Sequence, residues 1–116
     1  MTPLKELTPV EVHDRLAAGE IALIDVREPA EFAAERIHGA LLFPLSTFDP
    51  RLLPVGGRPL VIQCGSGKRS AMAVARCQQA GVAVNMHMAG GIGAWKAVGL
   101  PVVTLDPTSG AVRDAR

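Results

Sequence analysis

The chain has 116 residues, of which 48% are hydrophobic, 20% are charged and 3% are aromatic, and its formal net charge is +1. This balance is typical of one globular domain and excludes an intrinsically disordered chain. The near-neutral charge and the scarcity of aromatic residues argue against a nucleic-acid-binding protein, which needs clustered Lys and Arg side chains and often aromatic stacking platforms.

The first third of the chain predicts two helices that alternate with two short strands. Residues 8–11, Thr-Pro-Val-Glu, can supply an N-cap, a proline at the first helical position and the glutamate of a capping box, and Gly19 is a natural helix end. Residues 21–26 form a nearly all-apolar run, which is typical of a strand covered on both faces. A second helix is predicted over residues 29–36, and a second strand over residues 40–43.

The same alternation continues through the rest of the chain. Further strands are predicted over residues 60–64, 82–86 and 101–103, the last at an edge, and further helices over residues 70–80 and 92–98. Strands that alternate with helices predict an α/β fold with a mainly parallel sheet. We expect one domain over residues 1–105, followed by a polar, flexible C-terminal tail over residues 106–116.

Cys64 closes the clearest buried strand and begins the candidate site. The residues that follow it are small or basic: Gly65, Ser66, Gly67, Lys68, Arg69 and Ser70. Glycines let successive backbone N–H groups point inward, and the following helix adds the positive end of its dipole. Although a cysteine at such a position is most often a small apolar residue, these groups favour a thiolate over a thiol. We therefore predict that Cys64 is a nucleophile.

Asp25 lies at the carboxyl end of the first predicted strand, as Cys64 does at the end of its own, and Arg27 lies in the turn that follows. The carboxyl ends of parallel strands meet at one edge of a sheet, where ligands bind. We expect an ion pair in which Arg27 bridges Asp25 or Glu31 and fixes the loops. The alternative is that Arg27 lines the mouth of the site.

Three further residues are interpreted as structural. Cys77 lies on the core face of the helix behind the loop, so we interpret it as a buried thiol rather than a resolving cysteine. Trp95 is interpreted as a packing anchor, and His87, at the end of a predicted strand, as an ordinary polar residue. No histidine lies near Cys64 in the sequence, so the sequence alone predicts no cysteine–histidine dyad.

The sequence shows no pattern of a metal site, a membrane span or a signal peptide. The two cysteines and three histidines lack metal-ligand spacing, and we expect neither a metal nor another cofactor. Residues 77–95 carry no formal charge but contain glycines, polar residues and a strand-like alternation, so we expect no membrane span. Residues 1–5 have no apolar signal core, and a reducing cytoplasm is the expected location.

Four segments, in order, resemble the rhodanese-like domain, a sulfurtransferase family: residues 24–32, 36–40, 60–70 and 90–102. The resemblance implies a three-layer α/β fold with a mainly parallel central sheet of four to five strands and helices on both faces. It also implies that Cys64 takes a sulfane sulfur from a small-molecule donor such as thiosulfate. The resulting persulfide on Cys64 would pass its sulfur to a thiol, to cyanide or to a protein acceptor.

In this scheme Cys64 is catalytic, the six residues after it bind the substrate, and Asp25 and Arg27 support the site. Two alternatives stay open. One is a persulfide carrier or redox-sensing binding module with little thiosulfate turnover, and the other is a phosphatase or arsenate reductase-like enzyme. The loop from Cys64 to Arg69 has the spacing C-x4-R, one residue shorter than that of the related phosphatases, which favours sulfur transfer.

Overall fold

A five-stranded, wholly parallel sheet forms the centre of the molecule. The computed structural model describes residues 2–116, so Met1, the first residue of the predicted domain, lies outside them. The strands are β1 (Lys5–Leu7), β2 (Ala22–Asp25), β3 (Glu35–Arg36), β4 (Leu41–Leu42), β5 (Leu60–Gln63), β6 (Met86–Met88), β7 (Val103–Leu105) and β8 (Val112–Asp114). The central sheet has the strand order β1-β6-β5-β2-β4. The helices are α1 (Pro9–Ala17), α2 (Pro29–Ala34), α3 (Lys68–Gln79) and α4 (Gly91–Ala97), with 3₁₀ turns at Leu45–Thr47 and Pro50–Leu52.

The central strands are apolar because both of their faces are covered. All four residues of β5 are buried. Since successive side chains of a strand point to opposite faces, Ile62 packs into a cluster with Val74 and Cys77 of α3. Val61 packs into a second cluster with Val12 of α1 and Trp95 of α4. This arrangement confirms the predicted α/β fold with a mainly parallel sheet of four to five strands.

The start of α1 follows its local sequence. The hydroxyl of Thr8 accepts a hydrogen bond from the backbone N–H of Glu11 at 3.2 Å, and the carboxylate of Glu11 accepts one from the backbone N–H of Thr8 at 2.9 Å. Two N–H groups that would otherwise lack partners are thereby satisfied. The predicted capping box is confirmed.

The second predicted helix is too long by two residues. Helix α2 ends at Ala34, and Glu35–Arg36 forms the short strand β3, which pairs antiparallel with β7. A guanidinium nitrogen of Arg27 donates to the carbonyl oxygen of Glu35 at 2.7 Å. The pairing with β7 needs extended backbone, which Glu35 adopts, and it overrides the helical preference of the segment.

The strand predicted over residues 82–86 is instead β6, at Met86–Met88. The N–H of Val82 still bonds the carbonyl oxygen of Cys77 at the end of α3 at 2.8 Å, so the chain is turning there. Parallel pairing with β1 places the strand at these later residues and aligns Glu6 with His87. Strand β1 itself was not among the predicted elements.

The C-terminal region forms a second, antiparallel sheet with the order β3-β7-β8. The predicted edge strand over residues 101–103 corresponds to β7, which belongs to this sheet and not to the central one. Within residues 106–116, predicted as a flexible tail, Val112–Asp114 forms β8, and all three of its residues are exposed. None of the helices in residues 2–116 is long and apolar enough to cross a membrane.

Candidate active site

Two neighbouring strands end at the candidate site. Asp25 is the last residue of β2, and it is aligned with Gln63, the last residue of β5. Cys64 follows directly, and α3 begins four residues later at Lys68. The parallel sheet therefore brings the two sequence segments that carry the candidate side chains to one edge, as parallel strands do.

The sulfur of Cys64 lies beneath a turn of backbone. The N–H of Gly67 donates to the sulfur at 3.0 Å, and the hydroxyl oxygen of Ser70 lies 3.5 Å from it. Cys64 is fully buried, whereas residues 65–69 are half-buried or exposed. The sulfur thus lies directly below a surface loop.

The environment of Cys64 lowers the pKa of its thiol. Burial alone would raise this pKa, but hydrogen bonds from the hydroxyl and N–H of Ser70 and from the N–H groups of Gly67 and Ser66 outweigh burial. Hydrogen bonds to the charged form stabilise a thiolate. These hydrogen bonds favour the thiolate of Cys64, whereas burial raises the pKa of Cys77, on α3, to about 11.

The loop turns sharply at Gly67. This residue has φ of +105° and caps α3 at its N-terminus, so the helix starts at Lys68 and not at Ser70 as predicted. A left-handed backbone of this kind suits glycine. Lys68 is exposed in the first turn of α3, and Ser70 is buried against the sulfur.

Arg69 is held by an acidic partner from another element. Its two terminal nitrogens donate to the two carboxylate oxygens of Glu31, on α2, at 2.7 and 3.0 Å. This pairing lowers the pKa of Glu31 to about 2 and raises that of Arg69. The sequence predicts a substrate-binding role for Arg69; the structure places its guanidinium beside Gly65, with both terminal nitrogens bonded to Glu31.

Arg27 lies against Asp25 in a buried ion pair. Its guanidinium donates to the two carboxylate oxygens of Asp25 at 2.9 to 3.2 Å, and its backbone N–H donates to the same carboxylate at 2.9 Å. Asp25 is 0% exposed and Arg27 is 4% exposed. The remaining donors of Arg27 reach the carbonyl oxygens of Glu31 and Glu35. This geometry ties the end of β2 to α2 and β3.

The N-terminus of α4 closes the other side of the loop. The N–H groups of Ile92 and Gly93 donate to the carbonyl oxygens of Cys64 and Gly65 at 2.8 and 3.1 Å. A Cβ atom at Gly91, whose φ is +60°, would overlap the carbonyl oxygen of Cys64. The glycine at position 91 is therefore required by close backbone approach as well as by its φ. Trp95 anchors the same helix, since it is 2% exposed and donates to the carbonyl oxygen of Pro101 at 2.9 Å.

The interpretation of His87 as an ordinary polar residue is wrong. His87 is 3% exposed, and its Nδ1 atom lies 2.7 Å from the hydroxyl oxygen of Ser70. Its Nε2 atom lies 3.0 Å from a carboxylate oxygen of Glu6, on β1. The local sequence carries no signal for this arrangement, because β1 and β6 meet only through long-range pairing. Within residues 2–116, no group of three or more His, Cys, Asp or Glu side chains converges as a metal site requires.

Comparison with known proteins agrees with this geometry. Residues 8–98 match the sequence profile of the rhodanese-like domain. A protein named sulfurtransferase from Allochromatium vinosum is 37% identical over 102 residues, which cover 86% of this chain and 95% of that protein. An uncharacterized protein of Synechocystis sp. is 44% identical over 84 residues, which cover 72% of this chain and 47% of that protein.

A solved structure shares the fold. The crystal structure of thiosulfate sulfurtransferase from Pseudomonas aeruginosa superposes with a TM-score of 0.72 at 30% identity, covering 88% of this chain and 20% of that one. The chain therefore spans less than half of the Synechocystis protein and a fifth of the Pseudomonas chain, but nearly all of the Allochromatium protein. The sequence match over residues 8–98, together with this shared fold, shows that the chain belongs to the rhodanese-like domain family.

Proposed function

We propose that this protein is a sulfurtransferase that carries a sulfane sulfur as a persulfide on Cys64. The observation that carries this proposal is the position of the Cys64 sulfur, which accepts a hydrogen bond from the N–H of Gly67 beside the hydroxyl of Ser70. Relatives that bear the name sulfurtransferase support the same class of reaction. The family resemblance and the name of the Pseudomonas protein make thiosulfate the donor to test first.

The proposed reaction has two steps, and in each step one bond to sulfur forms as another breaks. The Cys64 thiolate attacks the outer sulfur of thiosulfate, the S–S bond of the donor breaks, and sulfite leaves with the electron pair. An acceptor thiolate or cyanide then attacks the terminal sulfur of the Cys64 persulfide, and Cys64 leaves as a thiolate. Negative charge stays at the sulfur throughout, so the N–H groups at the turn and the positive end of α3 stabilise each anionic state.

A persulfide carrier is the second candidate, and one observation favours it. Two of the five N–H donors of Arg69 are bonded to Glu31, so a free oxyanion donor must compete with this carboxylate for the guanidinium. A protein that delivers sulfur directly to Cys64 would not face this competition. The same competition weighs against a phosphatase, whose phosphate would need the guanidinium of Arg69.

The test is the formation of thiocyanate from thiosulfate and cyanide. We expect turnover in the parent and in Cys77→Ser, and none in Cys64→Ser. Glu31→Gln separates the two candidates, because it releases Arg69: a lower KM for thiosulfate in this variant supports a small-molecule donor. Absence of turnover in the parent and in Glu31→Gln, with Cys64 still reactive towards iodoacetamide, would exclude thiosulfate as the substrate and support the carrier.

A further inference from the structure

A buried chain of polar side chains runs from the Cys64 sulfur to the surface. Ser70 lies 3.5 Å from the sulfur, Nδ1 of His87 lies 2.7 Å from the hydroxyl oxygen of Ser70, and Nε2 of His87 lies 3.0 Å from the carboxylate of Glu6. Ser70 and His87 are buried, whereas the side chain of Glu6 is 62% exposed. A proton at His87 therefore has a route to solvent through Glu6.

The hydrogen positions follow from what each group can donate. A carboxylate accepts hydrogen bonds only, so the contact with Glu6 requires a proton on Nε2 of His87. In the neutral imidazole, Nδ1 then carries a lone pair and accepts the hydroxyl proton of Ser70. In this state the Ser70 hydroxyl points to His87 and has no hydrogen to offer the Cys64 sulfur.

Protonation of His87 reverses the bond to Ser70. The imidazolium donates from both nitrogens, so Ser70 accepts from Nδ1 and its own hydrogen is free. That hydrogen can then be donated to the Cys64 sulfur, with the carbonyl oxygen of Gly67, 3.1 Å from the hydroxyl, as the competing acceptor. The charge state of His87 thus decides whether Ser70 stabilises a thiolate.

Two negative groups are linked to the imidazole of His87. Glu6 approaches from β1, and the Cys64 sulfur is reached through Ser70 from α3 and the loop. Lys5 precedes Glu6 on β1, and its side chain points to the opposite face of the sheet, because neighbouring residues of a strand alternate. Lys68 is exposed at the start of α3. An imidazolium formed at His87 is thus paired directly with the Glu6 carboxylate and, through Ser70, with the Cys64 thiolate.

We propose that Glu6, His87 and Ser70 form a proton relay that generates the Cys64 thiolate, with His87 as its positioning residue. The S–H bond of Cys64 breaks as Ser70 takes that proton and passes its own hydroxyl proton to Nδ1 of His87. The products are a thiolate at Cys64 and an imidazolium paired with Glu6, and no oxidant or reductant is needed. This relay rests on Cys64 being the nucleophile of the proposed sulfur transfer.

The relay is tested by the pH dependence of iodoacetamide alkylation of Cys64, read from the Cys64 peptide by mass spectrometry. Because the two groups are coupled, the parent is expected to titrate in two steps. His87→Gln keeps a polar side chain but cannot carry the charge. We expect a single step and a rate at neutral pH about three- to tenfold lower, since the thiolate fraction falls tenfold for each unit of thiol pKa.

Two controls distinguish a relay from a structural role. Ser70→Ala removes the hydroxyl that connects His87 to the Cys64 sulfur. The double variant with His87→Gln should therefore have the same alkylation profile as Ser70→Ala alone. His38→Gln, a half-exposed histidine outside the site, should match the parent. The relay would be overturned if His87→Gln slowed alkylation of Cys64 in the Ser70→Ala background as well. It would also be overturned if the pH profile of His87→Gln still showed two steps.

Glu6→Gln provides a test that leaves the core unchanged. The amide oxygen still accepts from Nε2, but the negative charge that pairs with the imidazolium is lost, so alkylation of Cys64 at neutral pH should be slower than in the parent. An alkylation profile identical to that of the parent would contradict the relay even if His87→Gln failed to fold. Alkylation by iodoacetamide needs no sulfur donor. The alkylation assay therefore tests the relay, and the thiocyanate assay tests sulfur transfer from thiosulfate, so that a failure of one is distinguished from a failure of the other.

Discussion

The backbone of Gly91 lies against the carbonyl group of Cys64, and a Cβ atom at position 91 would overlap the carbonyl oxygen. The next two N–H groups, of Ile92 and Gly93, donate to the carbonyl oxygens of Cys64 and Gly65. The start of α4 therefore supports the backbone at Cys64 and at the residue after it. This contact explains the glycine at position 91, the first residue of α4.

Gly91→Ala should lower both stability and Cys64 reactivity. A left-handed φ costs a non-glycine residue about 1–2 kcal/mol, and the overlap should add about 1–3 kcal/mol, as overpacking does. Gly99→Ala is the matched control, because Gly99 also has a positive φ, of +80°, but open space around its Cβ position. Urea unfolding and alkylation of Cys64 should separate the two variants. Equal effects would show that the approach of Gly91 to Cys64 is unimportant.

Iodoacetamide should discriminate strongly between the two cysteines of the folded protein. Hydrogen bonds lower the pKa of Cys64, whereas burial raises that of Cys77 to about 11. At neutral pH we expect alkylation at Cys64 alone, and alkylation at both residues after unfolding in urea. Peptide mapping by mass spectrometry measures the two sites separately. Preferential labelling of Cys77 in the native state would contradict the assigned nucleophile.

The ion pair between Glu31 and Arg69 should make stability depend on acidic pH. The pKa of Glu31 is about 2 in the folded protein, below its ordinary value of 4.5. Ionised Glu31 therefore stabilises the fold above pH 4.5, and this contribution is lost as the pH falls towards 2. Glu31→Gln should lose less stability than the parent over this range. Parallel stability curves for the two proteins, from urea unfolding at each pH, would show that the ion pair contributes nothing.

The buried pair of Arg27 and Asp25 should matter far more than an exposed pair. Arg27→Met leaves the Asp25 carboxylate buried without its partner, and such a change costs about 3–5 kcal/mol. Arg51→Met removes a similar pair with Asp49 at the surface and should change the free energy of unfolding little. Urea unfolding of both variants measures the contrast. A small effect at Arg27 would mean that Asp25 is stabilised by other groups.

Features governed by neighbouring residues were predicted well. The capping box between Thr8 and Glu11 needs only the first turn of α1, and the buried strand before Cys64 is apolar because both faces of β5 are covered. The expectation that Cys64 follows a strand and precedes a helix has the same local origin. The predicted start of that helix, Ser70, lies two residues after the observed start, Lys68. The difference arises because Gly67 adopts a left-handed conformation and caps α3.

Features that depend on distant pairing were missed. Strand β1 is three residues long and exists because Lys5–Leu7 pairs with β6. That pairing is what sets Glu6 beside His87 and brings His87 to Ser70. The bonds of Arg69 to Glu31 span 38 residues in the same way. No periodicity or short motif reports such contacts, because they arise only when the sheet is assembled.

The most direct test of sulfur transfer is the intact mass of the protein after incubation with thiosulfate. We predict a gain of one sulfur atom in the parent and in Cys77→Ser, reversed by cyanide and absent in Cys64→Ser. A gain that persists in Cys64→Ser, or no gain in a parent whose Cys64 is readily alkylated at neutral pH, would contradict a thiosulfate-derived persulfide on Cys64.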